Sequence, residues 1–346
     1  MLSLVTAVPG SEPTATPVSA AQLAAMWAGY GDRGGRWTGG DSTTTVPLPD
    51  GRVAWLFSDT FLGAVNPDRS RSADAPLVHN TVVVQSGGEL GETLHGGTDT
   101  APAALVEAPA NELYWVGDGT VTGGSLKVFY NRYQHTGSGM LDVRLAGTSL
   151  VTFNLPELTI GGVQPLPLGN TISWGSAVVE DSAHLYVYGT ESTRRTKFAH
   201  LARVATTLTG AWEFWTGEGW STTETDSARL LGGVGTAFSV DRVDGSYVLV
   251  TQDTTVSFSP SVVAHVAPAP QGPFETPVHL FDAPEPKAPD RFVYDARTHP
   301  ELSSGSTMLV SYNVNSFRES DLTGDVRVYR PRFVEVDWPL AKRVAD

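Results

Sequence analysis

The sequence predicts an all-β fold with a single domain, a five-bladed β-propeller, and three observations support this. The 346 residues include 36 Gly and 23 Pro, which favour turns between short strands. After one candidate helix, apolar and polar residues alternate with a period of two almost throughout. Five similar strand-like stretches also recur at a regular spacing, which is typical of propellers and solenoids.

The repeated stretch is an apolar strand that turns polar at its seventh position. Its five copies begin at Val53, Ser125, His184, Ser246 and Thr307 and read VAWLFSDTF, SLKVFYNRY, HLYVYGTES, SYVLVTQDT and TMLVSYNVN. A turn cluster precedes each copy, as in Asp50-Gly51 and Asp244-Gly245. Further strand-like runs lie on both sides, which gives about four strands per unit, the size of a propeller blade. A β-sandwich is the alternative, but it does not explain a regular repeat.

The domain boundaries follow from the N-terminal region. Residues 1–18 are rich in Ser, Thr, Pro and Ala, and we interpret them as a linker or a trimmed N-terminal segment. Ser19 can cap an Ala-rich helix that stops at glycine. The propeller is therefore expected to span residues 19–346. The composition of residues 1–18 also suggests a secreted or cell-surface protein.

Charge and composition exclude several function classes. The formal net charge is -14 and no Lys/Arg cluster stands out, so we expect no nucleic-acid partner. No apolar run approaches the length of a membrane span, so we expect no membrane insertion. The chain has no cysteine, which excludes disulfides and thiolate metal sites. Nothing in the sequence requires a cofactor or a metal, and we expect a monomer.

Asp41 and Asp59 stand at nearly equal distances from one turn. Asp41 precedes the turn at Asp50-Gly51 and Asp59 follows it. Because antiparallel strands run down and back, residues equally far from the turn end at the same height. Two carboxylates in one pocket have pKa values that are pushed apart, which provides an acid and a base from one residue type. We therefore predict that Asp41 and Asp59 are catalytic.

The same construction in the other units predicts a rim that binds substrate. Carboxylates and amides bind hydroxyl groups, and aromatic faces stack on sugar rings, so this rim is typical of a glycan site. The predicted substrate-binding residues from these units are Asn131, Trp174, Glu191, Asp253, Asp295 and Asn313. His79 and Asn80, which open the third strand of the first unit near the axis, are added to them. Several have structural alternatives: Glu191 can pair with its basic neighbours, and His79 can be a structural histidine. If the fold held a metal near its axis, His79 would be the residue to examine.

Several stretches resemble a known family. They are GGDSTTTVPLPDGRVAWLFSDTF, HNTVVVQSG, WGSAVVEDSAHLYVYGTES and YDARTHPELSSGSTMLVSYNVN. They are similar to glycoside hydrolase family 183, the endo-D-arabinanases, which were first catalogued as a propeller domain of unknown function. The resemblance extends from about Trp37 to Trp338. Family members place two essential acids in the patterns G-G-D and D-T-F, which correspond to Asp41 and Asp59.

The resemblance implies endo-acting hydrolysis of α-D-arabinofuranosyl linkages in the D-arabinan of arabinogalactan and lipoarabinomannan. We expect inversion, with Asp41 as the base and Asp59 as the acid. The two roles can be exchanged, and Glu191 or Asp295 are alternative acids. Two other functions stay open at this point. One is a furanosidase that acts on another sugar, and the other is a glycan-binding propeller without catalysis.

Overall fold

The computed structural model describes residues 17–137, 139, 142–285 and 290–337. The predicted N-terminal linker therefore lies outside the described residues except for its last two positions. Trp338, the end of the predicted family resemblance, lies outside them as well. In the part that is described, the fold is all-β and propeller-like, with two short α-helices.

The predicted N-terminal helix is confirmed as α1, Ala20–Asp32. The Ser19 hydroxyl accepts a hydrogen bond from the Gln22 amide, and the Gln22 side chain accepts one from the Ser19 amide, which forms a capping box. Trp27 on the buried face packs against Trp55 and Phe57, with ring centroids 5.2 and 5.1 Å apart. The second helix, α2, spans Glu319–Gly324, and 3-10 turns occur at Glu224–Asp226, Pro300–Leu302 and Val326–Tyr329.

Five antiparallel sheets follow one another along the described chain. The first contains β2 (Thr44–Pro47), β3 (Val53–Phe57), β6 (Thr81–Ser86) and β7 (Glu89–Leu94). The second contains β10 (Glu112–Thr122), β11 (Ser125–His135), β12 (Val143–Asn154) and β13 (Thr159–Pro165). The third contains β14 (Ile172–Glu180), β15 (His184–Ser192), β16 (Lys197–Ala205), β17 (Glu213–Trp215) and β18 (Trp220–Ser221), and β19 (Leu231–Gly232) also pairs with β16.

The last two sheets and two small ones complete the described strands. The fourth contains β20 (Ser239–Val243), β21 (Ser246–Gln252), β22 (Ser261–Ala267) and β23 (Val278–Asp282). The fifth contains β24 (Arg291–Thr298), β25 (Thr307–Ser316) and β26 (Arg332–Asp337). The small sheets are β1 (Arg36–Gly40) with β4 (Thr60–Gly63) and β5 (Leu77–Val78), and β8 (Gly96–Thr98) with β9 (Ala101–Ala103). The predicted four strands per unit are therefore present in three of the five large sheets, the first, second and fourth.

Each repeated stretch forms the second strand of its sheet, at β3, β11, β15, β21 and β25. These strands are buried on both faces; all five residues of β3 are buried, for example. Alternate residues of each second strand point to opposite faces of its sheet, so they pack against the two neighbouring sheets. This burial explains why the repeat is the most apolar part of each unit.

The sheets pack face to face in chain order. One apolar cluster joins the first and second sheets through Leu56 and Tyr114, and another joins the fourth and fifth through Val262 and Val310. The cluster around Trp55 also contains Leu309, so the fifth sheet packs against the first. The first strands of successive sheets lie against one another around a central axis.

Hydrogen bonds link the fifth sheet to the first near this axis. The Thr43 hydroxyl donates to Asn313 Oδ1 at 2.7 Å, and Thr45 Oγ1 lies 2.7 Å from His299 Nδ1. Apolar packing and these polar contacts together connect the two ends of the described β structure. The described helices include none that is long and apolar enough to cross a membrane.

Candidate active site

The hairpin that carries Asp41 and Asp59 is divided at these two residues into two strand pairs. β1 pairs with β4 on one side of them, and β2 pairs with β3 on the other. The Asp41 amide donates to the Asp59 carbonyl at 3.2 Å, and the Ser58 amide donates to the Asp41 carbonyl at 3.0 Å. The two acids thus lie opposite each other across the hairpin.

The backbone after Asp41 is strained. Ser42 and Thr43 have φ values of 68° and 48°, in the left-handed region that β-branched residues in particular avoid. The surrounding structure holds this conformation: the Ser42 hydroxyl donates to Ser58 Oγ at 2.7 Å, and Thr43 is bound to Asn313. Strained residues of this kind concentrate at functional sites, where they direct side chains.

Both carboxylates line a cavity of about 710 Å³ at one end of the axis. All five large sheets or the loops next to them contribute to its wall. Besides the two acids, the wall includes Trp115, Asn131, Tyr133, Ser173, Arg194, Arg195, Lys197, Gln252, Phe258, Phe292, Tyr294, Asp295, Arg297, Phe317 and Tyr329. Hydroxyl, amide, charged and aromatic groups therefore face one space that is large enough for several small rings.

Two tyrosines hold the Asp41 carboxyl group. The hydroxyls of Tyr294 and Tyr329 donate to Asp41 Oδ2 at 2.8 and 2.6 Å. Burial, together with the negative charges of Asp59 and Asp295, raises the pKa of Asp41 well above its usual range, although the two tyrosine hydrogen bonds oppose this rise. Oδ1 of Asp41 is buried and has no hydrogen-bond partner among the described residues. Asp41 is therefore a carboxyl group whose surroundings favour the protonated form, and Oδ1 is the oxygen that no described group binds.

Asp59 has different partners. Its Oδ1 atom lies 2.8 Å from His79 Nδ1 and accepts a hydrogen bond from Trp115 Nε1 at 3.0 Å. The hydrogen bond to Asp59 raises the pKa of His79, even though burial opposes this shift. Two ring nitrogens from different parts of the chain therefore hold one oxygen of the Asp59 carboxyl group.

A third carboxyl group, Asp295, lines the same cavity. It sits in the left-handed region with φ 52°, next to a register shift between β24 and β25. Burial raises its pKa, and the positive charges of Arg297 and Lys197 oppose this rise. Asp295 is therefore a buried neighbour of Asp41 that has cations beside it.

The structure brings three more of the predicted residues to this region. Asn131 lines the cavity and accepts a hydrogen bond from the Thr148 hydroxyl at 2.9 Å. His79 contacts Asp59, as described above. Asn313 is buried behind the cavity wall, where it binds Thr43 and supports the strained backbone next to Asp41.

Four predicted rim residues do not face the cavity. Trp174 is fully buried, and its indole donates to Glu224 at 2.8 Å within the core between the second and third sheets. Asn80 is also fully buried and bonds the backbone of Val106 and Tyr114. The expectation that these two residues contact substrate is corrected, because each side chain is enclosed by protein.

Glu191 and Asp253 are corrected for a different reason. Arg229 and His200 bind the Glu191 carboxylate, and the hydrogen bond from Arg229 contributes most to lowering its pKa to about 2. Glu191 is also absent from the cavity wall, so the structure does not support it as the alternative acid. Asp253 accepts hydrogen bonds from the amide and hydroxyl of Thr255 and closes a local turn.

The strand repeat did not predict several residues of the site. Tyr329 lies in the 3-10 turn after α2, outside any repeat, and reaches Asp41 only through the tertiary fold. Lys197 belongs to the basic stretch STRRTK, whose residues are the basic neighbours that Glu191 was expected to pair with. Arg297 follows Asp295 by two residues, and the register shift in β24 brings both side chains to the axis.

A second cavity of about 640 Å³ is lined by the first strands of the sheets. Asp118, Asp241 and Glu301 line it, and burial raises the pKa of Asp241 to about 6 and that of Glu301 to about 7. Arg297 lines both cavities, so its guanidinium group stands between them. No cluster of three or more His, Cys, Asp or Glu residues in the described ranges has a geometry that could hold a metal ion.

Comparison with known protein families assigns the chain. Residues 25–338 match the model of a family described as Domain of unknown function (DUF5005). The chain belongs to this family. No curated protein sequence matches it. Its membership of glycoside hydrolase family 183, which the motifs suggest, stays a prediction.

Solved structures share the fold of this DUF5005 protein. A Bacteroides ovatus protein, assigned only provisionally as a hydrolase, has a TM-score of 0.79 and 22% identity, over 95% of this chain and 93% of the other. The GH43_1 enzyme from Xanthomonas citri, complexed with xylotriose, has a TM-score of 0.52 and 12% identity over 94% and 95% of the two chains. An exo-β-1,3-galactanase from Phanerochaete chrysosporium has a TM-score of 0.50 and 11% identity over 88% and 62%. At these identities the likeness establishes the fold.

Proposed function

We propose that this DUF5005 protein is a glycoside hydrolase with Asp41 and Asp59 as its catalytic pair. One observation carries the proposal: the two acids lie opposite each other in one polar cavity, and each is held by different hydrogen-bond partners. Glycosidic hydrolysis requires such a pair, one group to protonate the leaving oxygen and one to activate water or attack the sugar. The fold shared with the Xanthomonas and Phanerochaete enzymes supports this function.

The raised pKa of Asp41 favours the reverse of the roles expected from the sequence. Burial and neighbouring charges keep a proton on Asp41, so we assign it as the general acid. Asp59 lies opposite Asp41 in the same cavity, where His79 and Trp115 hold its carboxyl group, so we assign it as the base. We propose that Asp59 activates a water molecule and that the product has inverted configuration.

The phenol groups provide a direct test of the acid assignment. We expect Tyr329→Phe to raise the pKa of Asp41 further, because the lost hydrogen bond favours its ionised form. An acid must be protonated to act, so the alkaline limb of the kcat profile should move to higher pH, by about one unit. The measurement is kcat between pH 4 and 10 for the wild type and the variant.

The control for this experiment is Tyr312→Phe. The Tyr312 hydroxyl donates to Glu285 at 2.9 Å, and Tyr312 does not line the cavity. Its profile should match that of the wild type. An alkaline limb that stays in place or moves to lower pH in Tyr329→Phe would contradict the assignment of Asp41 as the acid.

We further propose that the five sheets are five propeller blades and that the substrate is the D-arabinan of arabinogalactan and lipoarabinomannan. The blade count is supported by the five repeated second strands and by the packing of the fifth sheet against the first. The substrate is supported by the motifs around Asp41 and Asp59. An extracellular or cell-surface location is part of this proposal, since the polymer belongs to the cell envelope.

Product analysis tests the substrate. We expect the wild-type protein to release a ladder of arabino-oligosaccharides from mycobacterial-type arabinogalactan, since an endo-acting enzyme cuts within the chain. L-arabinan and xylan, incubated in parallel, should give no products. Products from one of these polymers alone would retain the hydrolase and replace the substrate. Binding to arabinogalactan without any products from the three polymers would indicate a glycan-binding protein instead.

A further inference from the structure

We propose that Phe258, Phe292 and Phe317 form a subsite that stacks on one sugar unit of the bound glycan. The three rings are in mutual contact: their centroids are 5.7 Å apart for Phe258 and Phe292, 5.1 Å for Phe258 and Phe317, and 4.6 Å for Phe292 and Phe317. All three line the cavity that contains the two acids. We call them the phenylalanine platform.

Two of the three platform rings are exposed to solvent, which is unfavourable for apolar side chains. Phe258 is 58% exposed and Phe317 is 55% exposed, and they are the two exposed phenylalanines in the described ranges. A contiguous exposed apolar patch that is rimmed by polar residues typically marks a binding site. Phe258 also has φ 56°, a conformation that bulky residues rarely adopt. The loop therefore holds an aromatic ring in the open although neither burial nor backbone preference favours it.

The platform is continuous with the catalytic pair. Phe292 contacts the ring of Tyr294 with a centroid distance of 5.5 Å, and the Tyr294 hydroxyl donates to Asp41. A row of aromatic rings therefore extends from the general acid to the mouth of the cavity. A glycan whose scissile bond lies at Asp41 and Asp59 has a neighbouring unit that reaches this row.

The chemistry of the platform and its surroundings fits a sugar. The apolar C–H face of a sugar ring stacks on an aromatic face, and its hydroxyl groups need polar partners at the edge. Ser257 and Asn315 line the cavity beside the platform and provide such groups. The inference rests on the proposed function in that the ligand is a glycan, but it does not depend on turnover.

Affinity electrophoresis separates the two proposals. The probes are arabinogalactan, L-arabinan and xylan cast into native gels, and the protein carries Asp59→Asn so that no probe is degraded. We expect the parent to be retarded by at least one polymer. Phe258→Ala with Phe317→Ala should bind that polymer about five- to tenfold more weakly, the effect of losing aromatic stacking.

Two controls separate stacking from general apolarity and from misfolding. Val256→Ala removes a side chain that is 65% exposed and lies outside the cavity wall, so retardation should be unchanged. Phe317→Leu keeps an apolar group without a ring, so it should weaken binding, whereas Phe317→Trp should restore or increase it. Because Phe258 and Phe317 are largely exposed, the double alanine variant is expected to keep the parent's unfolding midpoint.

The outcomes distinguish the platform from the rest of the site. Weaker retardation in the double variant supports the platform even if the wild type hydrolyses none of the polymers. Retardation equal to that of the parent overturns it, whether or not hydrolysis occurs. A parent that no polymer retards also overturns it. A parent dimer that the double variant converts to a monomer would identify the patch as a contact between copies, and the sugar subsite would be wrong.

Discussion

Asp41→Asn and Asp59→Asn are each expected to lower hydrolysis of the polysaccharide by about 10²–10⁴-fold, because each removes one half of the acid–base pair. The two losses should differ in their dependence on the leaving group. In an aryl glycoside, a nitrophenol leaving group departs without being protonated. The Asp41→Asn variant should therefore keep most of the wild-type activity on such a substrate. Asp59→Asn should lose activity on both, since water activation is needed in each case.

Steady-state kinetics on the polymer and on the aryl glycoside measure this difference. Asp253→Asn is the matched control, because Asp253 is an aspartate of the same predicted rim that binds Thr255 and does not line the cavity. Its activity should equal that of the wild type. Equal losses on both substrates in Asp41→Asn would contradict its role as the acid, and the opposite pattern would restore the sequence-based order of roles.

Local periodicity predicted much of the fold because a propeller repeats one local pattern. The five apolar stretches are buried on both faces in similar positions, so the same residue types recur at the same places. The helix cap at Ser19 could be predicted from the sequence because capping depends on residues only three positions apart. The sequence did not predict the short fifth sheet or the extra strands of the third, because variation at a sheet's outer edge leaves no periodic signal.

The sequence predicted the site residues whose positions depend on one hairpin. It missed the residues that reach the site only because separate sheets pack together. Asp41 and Asp59 face each other because of their distance from one turn, which can be counted in the sequence. Tyr329 reaches Asp41 from 288 positions away, and no local pattern reports that contact. Trp174 was assigned to the rim from its distance to a turn, and Asn80 from its place at the start of a strand near the axis. Neither criterion decides whether a side chain points to the axis or into the core.

Arg297 carries the prediction with the largest effect on stability. Its side chain is buried, and it contacts Thr44 and the Ser176 carbonyl between the two cavities. The buried carboxyl groups of Asp118, Asp241 and Asp295 have pKa values that burial raises and that the charge of Arg297 lowers. We expect Arg297→Met to reduce the free energy of unfolding by about 3–5 kcal/mol, the cost of leaving buried charges without their partner.

This loss should depend on pH. Without Arg297 the pKa values of the three folded-state carboxyl groups rise further above the unfolded value near 3.8, so the folded state binds protons more tightly than the unfolded state. Their contribution to stability is then fully present below that unfolded value and is lost as the pH rises through the higher folded-state values. The variant should therefore be destabilised less at pH 5 than at pH 8.

Urea denaturation of Arg297→Met and the wild type at pH 5 and pH 8 measures both effects. Arg327→Met is the control, because Arg327 pairs with Asp325 on the surface, where an ion pair contributes less than about 1 kcal/mol at either pH. If Arg297→Met lost the same free energy at both pH values, the buried carboxyl groups would not be the reason for its effect. If it lost no more than Arg327→Met, the guanidinium group would not stabilise the axis, and the charges of Asp118, Asp241 and Asp295 would have to be balanced by other groups.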